Sequence, residues 1–354
     1  MICAGELFVH TESMVDKSLI LQHEARTAFD IGWDFARMGL ELRLFEDSDG
    51  LFKPIVDGYR DGVAKYGKRH PQYPNGAQRF VIKWLHLRMN AYRRGRTFSE
   101  DLTWEYLQSI DDTHCPITRK PFTYGENLDT DWTIDRINNH GGYSKGNVVG
   151  LSRVANYSKG TQKVRSCINA AMLAAKSEDG LYRRLSETEW MRVASLISPN
   201  ESVTNPEVGL LPLACVPKKI VITTIPLQQL QLYSGCCFKG VGPFPSYWTD
   251  AFKVIGRHNL YKKACTFAAY AHGATKLQLK NTHSMRWAIE DAWLNKSVIQ
   301  SWLSLAEAMN EAEAASVVRR FEKLANLTAI AGEALSVDSW HIDSFGFVIP
   351  GSTG

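Results

Sequence analysis

The chain has 354 residues, 44% apolar and 22% charged, a length and mixture that require more than one core and exclude a disordered or fibrous chain. Its 41 basic and 37 acidic side chains leave a formal net charge of +4, too small in itself to announce a polyanionic partner. No apolar run reaches the roughly eighteen residues of a membrane span, Met1 to Glu6 lack the basic and apolar regions of a secretion signal, and seven irregularly spaced cysteines argue against a disulfide framework, so a cytoplasmic protein with no membrane partner is expected.

From about Val15 to Leu44, Leu19, Ile20, Ala25, Phe29, Trp33, Phe35, Ala36 and Leu40 recur at helical spacing, which predicts one or two amphipathic helices. Residues 1–57 carry a net charge of −6, and the sign then flips to +9 over residues 58–98. After a Gly, Pro and Tyr-rich loop, a strong helix is predicted over Ala77–Arg94. Phe80, Val81, Trp84, Leu85, Leu87 and Met89 supply its buried side, and Arg79, Lys83, Arg88, Arg93, Arg94 and Arg96 its basic one. Clustered cations of this kind are the footprint of phosphate binding, because neutralising a phosphate needs local rather than total charge. Ser99 reads as the N-cap of a short helix through Leu107. Residues 99–135 return to −7, and residues 136–184 to +7.

The segment from Cys115 to Gly160 is the most informative. Trp132, Ile134 and Ile137 alternate with Thr133 and Asp135 as in a short strand; Asn138-Asn139, Gly141-Gly142 and Lys145-Gly146-Asn147 mark a turn-rich loop. Val148 to Leu151 reads as a second strand, and Ser152 as the N-cap of a helix that projects Arg153, Asn156 and Lys159 from neighbouring turns.

Asp135-Arg136-Ile137, Gly142-Tyr143, Gly146-Asn147-Val148 and Asn156-Tyr157-Ser158-Lys159, in this order, resemble the HNH or ββα-metal endonuclease family, over about residues 113–165. The likeness is to a branch found in phage and bacterial proteins, which would place the chain in a bacterial cell or phage-infected host. The resemblance implies metal-dependent hydrolysis of DNA phosphodiester bonds, with Asp135 and Asn156 as ligands of one Mg²⁺ or Mn²⁺ and Asn147 pinning the loop. Lys145, Arg153 and Lys159 are expected to hold duplex DNA across the site, with the basic helix along its backbone. The sequence departs from the family at Arg136, which stands where the Asp-His pair has its histidine and cannot accept a proton. His140 is the nearest substitute base, and Arg136 is expected to clamp the scissile phosphate. The departure sustains an alternative, a catalytically degenerate module that binds nucleic acid or protein. A structural zinc is not expected, because Thr118 stands where a second cysteine would pair with Cys115.

Further along, Cys167–Lys176 and Glu187–Ile197 read as helices, Ser198 to Pro206 as a linker, Ile220–Ile225 as a strand, Gly240–Trp248 as a loop, and about Met285–Leu303 and Glu307–Leu335 as helices. Residues 205–296 carry net +7 with the aromatics Phe252, Tyr261, Phe267, Tyr270 and Trp287 interleaved, which suggests a second nucleic-acid contact or a core; the late helices would serve a protein partner or self-association. The expected fold is α+β and predominantly helical. Its divisions are an N-terminal helical region (1–98), the ββα module (99–165), helices and linker (166–204) and a C-terminal mixed or helical domain (205–354).

Overall fold

A computed structural model describes residues 17–42, 50, 52–67, 73, 76–139, 141–198, 220–222, 226–237, 244–280, 285–325 and 340–342. They are predominantly helical, with two-stranded antiparallel sheets, and belong to two compact units: residues 1–98 with 103–108, and residues 99–102 with 109–354.

In the first unit, helix α1 (Lys17–Arg37) turns Ala28, Ile31 and Phe35 inward at helical spacing. Helix α2 (Lys53–Tyr66) adds Ile55, and α3 (Gln78–Arg93) adds Val81, Leu85 and Met89 to the same core. Helix α4 (Trp104–Ser109) lays Trp104 against it. The helix starts one turn later than a Ser99 cap requires: Thr103 Oγ1 accepts the amide of Tyr106 at 3.3 Å, while Ser99 donates its hydroxyl to Asp101.

Helix α2 is absent from the sequence reading, and its interior holds Gly58 and Gly62, residues of low helix propensity. They are the reason it packs. A Cβ at Gly58 would overlap the carbonyl oxygen of Phe29, one at Gly32 that of Ile55, and one at Gly62 would stand 2.7 Å from the Ala36 methyl. Gly58→Ala therefore sets a helix-propensity gain of about 1 kcal/mol against backbone overlap, and overpacking of that kind costs about 1–3 kcal/mol. We expect a net loss in urea denaturation, whereas Gly273→Ala, with nothing within 4 Å of its added methyl, gains up to about 1 kcal/mol. Equal responses would show that α1 and α2 do not meet this closely.

In the second unit, β1 (Trp132–Arg136) and β2 (Val148–Ser152) pair with Asp135 opposite Val149, and α5 (Arg153–Lys159) follows β2 without a loop. Ser152 caps α5 by accepting the amide of Ala155. Helix α6 (Val164–Lys176) is followed by the strands β3 (Leu181–Tyr182) and β4 (Leu185–Ser186). Helix α7 (Glu187–Ile197) then opens on a capping box of Ser186 and Glu189. The strand β5 (Ile220–Ile222) pairs with β6 (Trp340–Ile342); the linker expected at 198–206 lies almost wholly outside the described residues.

Helices α8 (Pro226–Cys236), α9 (Ser246–Phe252), α10 (His258–Gln278), α11 (Met285–Trp293), α12 (Lys296–Glu307) and α13 (Glu311–Ala325) complete the unit. The helix expected over Met285–Leu303 breaks at Leu294, where Asn295 caps the next one. The loop expected over Gly240–Trp248 gives way to α9 after Pro245, and residues 240–243 lie outside the described residues. Trp248, Phe252, Phe267, Trp293 and Trp302 are fully buried and meet at ring separations of 5.1–5.8 Å, so Phe252 and Phe267 form a core and have no face left for a base. No helix among the described residues is long and apolar enough to cross a membrane.

Candidate functional site

Strand β1 alternates Trp132, Ile134 into the core and Thr133, Asp135 toward α5. Two cross-links tie these faces. Asn156 Nδ2 donates to Thr133 Oγ1 at 3.0 Å, and that hydroxyl donates in turn to the Leu151 carbonyl. One helical turn on, Lys159 Nζ donates to Asp135 Oδ2 and to the Arg136 carbonyl, both at 2.8 Å, with the Gly160 carbonyl at 3.5 Å. Lys159 has no solvent exposure, and the Asp135 side chain keeps 15%. Lys159 thus cannot reach a phosphate outside as expected: its three protons face three internal oxygens.

The loop between the strands is braced from within. Asn147, fully buried, accepts the Asn138 amide at 2.8 Å and donates to the carbonyls of Asn138 and Gly142 at 3.0 and 2.8 Å. Arg136 joins it, donating through Nη1 to the carbonyls of Asn139 and Gly141 at 3.1 and 2.9 Å and lying 5.3 Å from the Tyr143 ring centroid. Its Nε is buried with no hydrogen-bond partner among the described residues. The phosphate clamp expected of Arg136 is accordingly corrected: this arm of the guanidinium closes the loop. His140 lies outside the described residues.

The strand pair is anchored from the other side. The Asp131 carboxylate accepts Thr123 Oγ1 at 2.6 Å and the amides of Asn127 and Glu126 at 2.7 and 3.2 Å. The Thr123 bond, helped by backbone amides and partly opposed by burial, holds its pKa below the usual carboxylate value. Cys115, fully buried, accepts the Ser152 amide at its sulfur, 3.3 Å away, which fixes the start of α5.

Of the other expected contacts in this unit, Lys145 and Arg153 are exposed, and Arg153 donates to the Asn127 carbonyl and side chain. In the first unit, Arg93, Arg94 and Arg96 are exposed at and beyond the end of α3, and Arg79 and Lys83 are half-buried, Arg79 lying over the Phe80 ring. Arg88 is corrected: it pairs with Asp34 at 2.6 Å, both largely shielded, and stacks on Trp84, so it holds α3 to α1.

Sequence reasoning missed Arg183 and Arg184, which fill the tip between β3 and β4 and reach α5 and Asp129. A signal existed, in the form of two strand-like dipeptides with only Arg-Arg between them. No family model, curated protein or solved structure matches the chain. As donors for a cation, Asp135 Oδ1 has no partner among the described residues, and Asn156, held by its amide nitrogen, keeps its oxygen as an acceptor. Two hard oxygen donors fit a water-rich Mg²⁺ or Mn²⁺ better than zinc, and no cluster of three or more His, Cys, Asp or Glu exists among the described residues.

Proposed function

We propose that about residues 113–165 form an HNH-type ββα-metal module and that the protein is a metal-dependent endonuclease acting on DNA. One observation carries this reading: β1 and α5 oppose Asp135 and Asn156 on one face, while the buried Asn147 pins the loop at their edge. Asp135 and Asn156 would hold the divalent ion, which when bound supplies charge stabilisation at the phosphate and at the leaving 3′ oxygen.

The chain's own residues prepare that chemistry. Lys159 holds one oxygen of Asp135 and so orients the other; Thr133 does the same for Asn156. Arg136 and Asn147 keep the loop closed, and Lys145 and Arg153 offer exposed cations to the DNA backbone. The proton of the attacking water needs an acceptor, for which His140 is the proposed base.

A second reading is favoured by two facts. The Lys159 ammonium already neutralises Asp135, and Arg136 cannot serve as a base. Both suit a module that binds nucleic acid without cutting it.

Supercoiled plasmid with Mg²⁺ or Mn²⁺ separates the two. The nuclease reading expects nicking that Asp135→Ala and Asn156→Ala abolish and that His140→Ala lowers by about a hundredfold or more. Nicking that survives Asp135→Ala, or none at all beside salt-dependent binding, rejects the metal-dependent assignment, and the latter result selects the binding module.

A further inference from the structure

Strands β3 and β4 pair Leu181 with Ser186 and Tyr182 with Leu185, so Arg183 and Arg184 alone make the turn. Both have left-handed backbones, with φ of 46° and 72°. A two-residue hairpin loop with positive φ at both positions is the mirror-image type I turn, for which Asn-Gly is the favoured pair. Arginine carries a Cβ and lacks the short polar side chain that eases this conformation, so each costs stability that Asn or Gly would spare.

The surroundings hold the strained tip in place. Ser158 of α5 donates its hydroxyl to the Arg183 carbonyl at 2.7 Å, and the buried Trp190 donates its indole N–H to the Tyr182 carbonyl at 2.8 Å. Arg184 pairs with Asp129. The Arg183 side chain has no such employment. It is exposed, lies 5.7 Å from the centroid of its neighbour Tyr182, and has no acidic partner among the described residues. On α5, Arg153 and Tyr157 stand one turn apart, both exposed, Tyr157 at 82%. Ser158, which grips the tip, sits between Tyr157 and the Asp135-bound Lys159.

The tip is a strained pair of cations whose backbone is held by Ser158 and Trp190, where an uncharged pair would fold better; strain of this kind clusters at functional sites. We propose that the Arg183–Arg184 tip is a backbone-phosphate contact for duplex DNA. Arg183 supplies the free charge, and Arg153 and Tyr157 continue the surface along α5. This inference rests on the reading of the Asp135 site as one that engages DNA, and it names an element that delivers the duplex to that site.

The test is titration of the full chain into a short labelled duplex without divalent metal, followed by fluorescence anisotropy over a series of salt concentrations. Arg183→Asn suits the left-handed backbone and removes the charge. It is expected to weaken binding about tenfold at low salt and to flatten the plot of log affinity against log salt by about one unit. Its melting temperature should be unchanged or higher, and that of Arg183→Asn/Arg184→Gly higher still. Arg183→Lys should bind nearly as the parent does. Affinity of Arg183→Asn within twofold of the parent, with an unchanged slope, overturns the proposal, as does a parent that does not bind the duplex. Absence of plasmid nicking by the parent tells against the nuclease reading alone, since the binding comparison uses no metal and no cleavage.

Discussion

Lys159→Met is expected to destabilise the second unit by about 3 kcal/mol in chemical denaturation. The ammonium it removes is fully buried and bonded to Asp135, itself only 15% exposed, and to two main-chain carbonyls. Deleting one partner of such a pair leaves the other charge in a poorly solvated place, which costs about 3–5 kcal/mol. The lower end applies because Asp135 keeps an edge to water. Lys159→Met/Asp135→Leu removes both charges and should recover most of the loss, since a buried ion pair is worth little more than apolar side chains of its size. A loss of under about 0.5 kcal/mol in the single variant, the range of an ordinary surface substitution, would show that Lys159 is not buried on Asp135.

The same variants report on the metal reading without an activity assay. With Lys159 gone, a divalent cation has the whole Asp135 carboxylate, and a ligand that binds only the folded state raises its stability. Added Mg²⁺ or Mn²⁺ should therefore raise the melting temperature of Lys159→Met more than that of the parent, and leave Lys159→Met/Asp135→Leu unmoved. Equal shifts in all three would mean that the ions act elsewhere.

Parts of this site are legible in the sequence because short-range chemistry dictates them. The turn residues from Asn138 to Asn147, alternation in Trp132 to Arg136 and the cap at Ser152 place two strands and a helix within a residue or so of their observed limits. The helix expected over Glu187–Ile197 is likewise found with those limits as α7. What Lys159 does is not legible, because its partner lies 24 residues back and only the packing of α5 on β1 brings them together. A lysine in a basic stretch reads as a surface cation until that packing is known. Arg88 misleads for the same reason, its partner Asp34 being on another helix. Helix α2 is hidden by glycines whose role is close approach, and α10 by a buried stripe made largely of the small residues Ala264, Ala268 and Ala271.

Arg119→Met is the other change expected to cost about 3–5 kcal/mol. Arg119 lies in the turn that follows Cys115, in a left-handed conformation, and its guanidinium forks across α11. It reaches Glu290 at 2.8 Å and Asp291 at 2.6 Å, donates to the Trp287 carbonyl at 3.4 Å, and lies over the Trp287 ring, which His114 meets edge-on. Burial works against its charge but is outweighed by the bonds to Asp291 and the charge and bond of Glu290, so its pKa is raised. Glu290 is 1% exposed, and Arg119 meets it at 2.8 Å whereas Arg192 stands further off at 3.7 Å. A buried carboxylate cannot be left so poorly compensated without the full desolvation cost. Arg119→Lys keeps a charge but not the planar fork that meets two carboxylates at once, and should lose about 1–2 kcal/mol. The damage should be local first. The Cys115 and Phe122 amides, bonded to the Lys120 and Thr113 carbonyls, are expected to lose hydrogen-exchange protection in Arg119→Met before those of α10 do. If protection falls evenly over the whole unit instead, the turn and the C-terminal helices unfold as one, and the Asp135 site, joined to that turn through Cys115 and Ser152, shares its stability with α11.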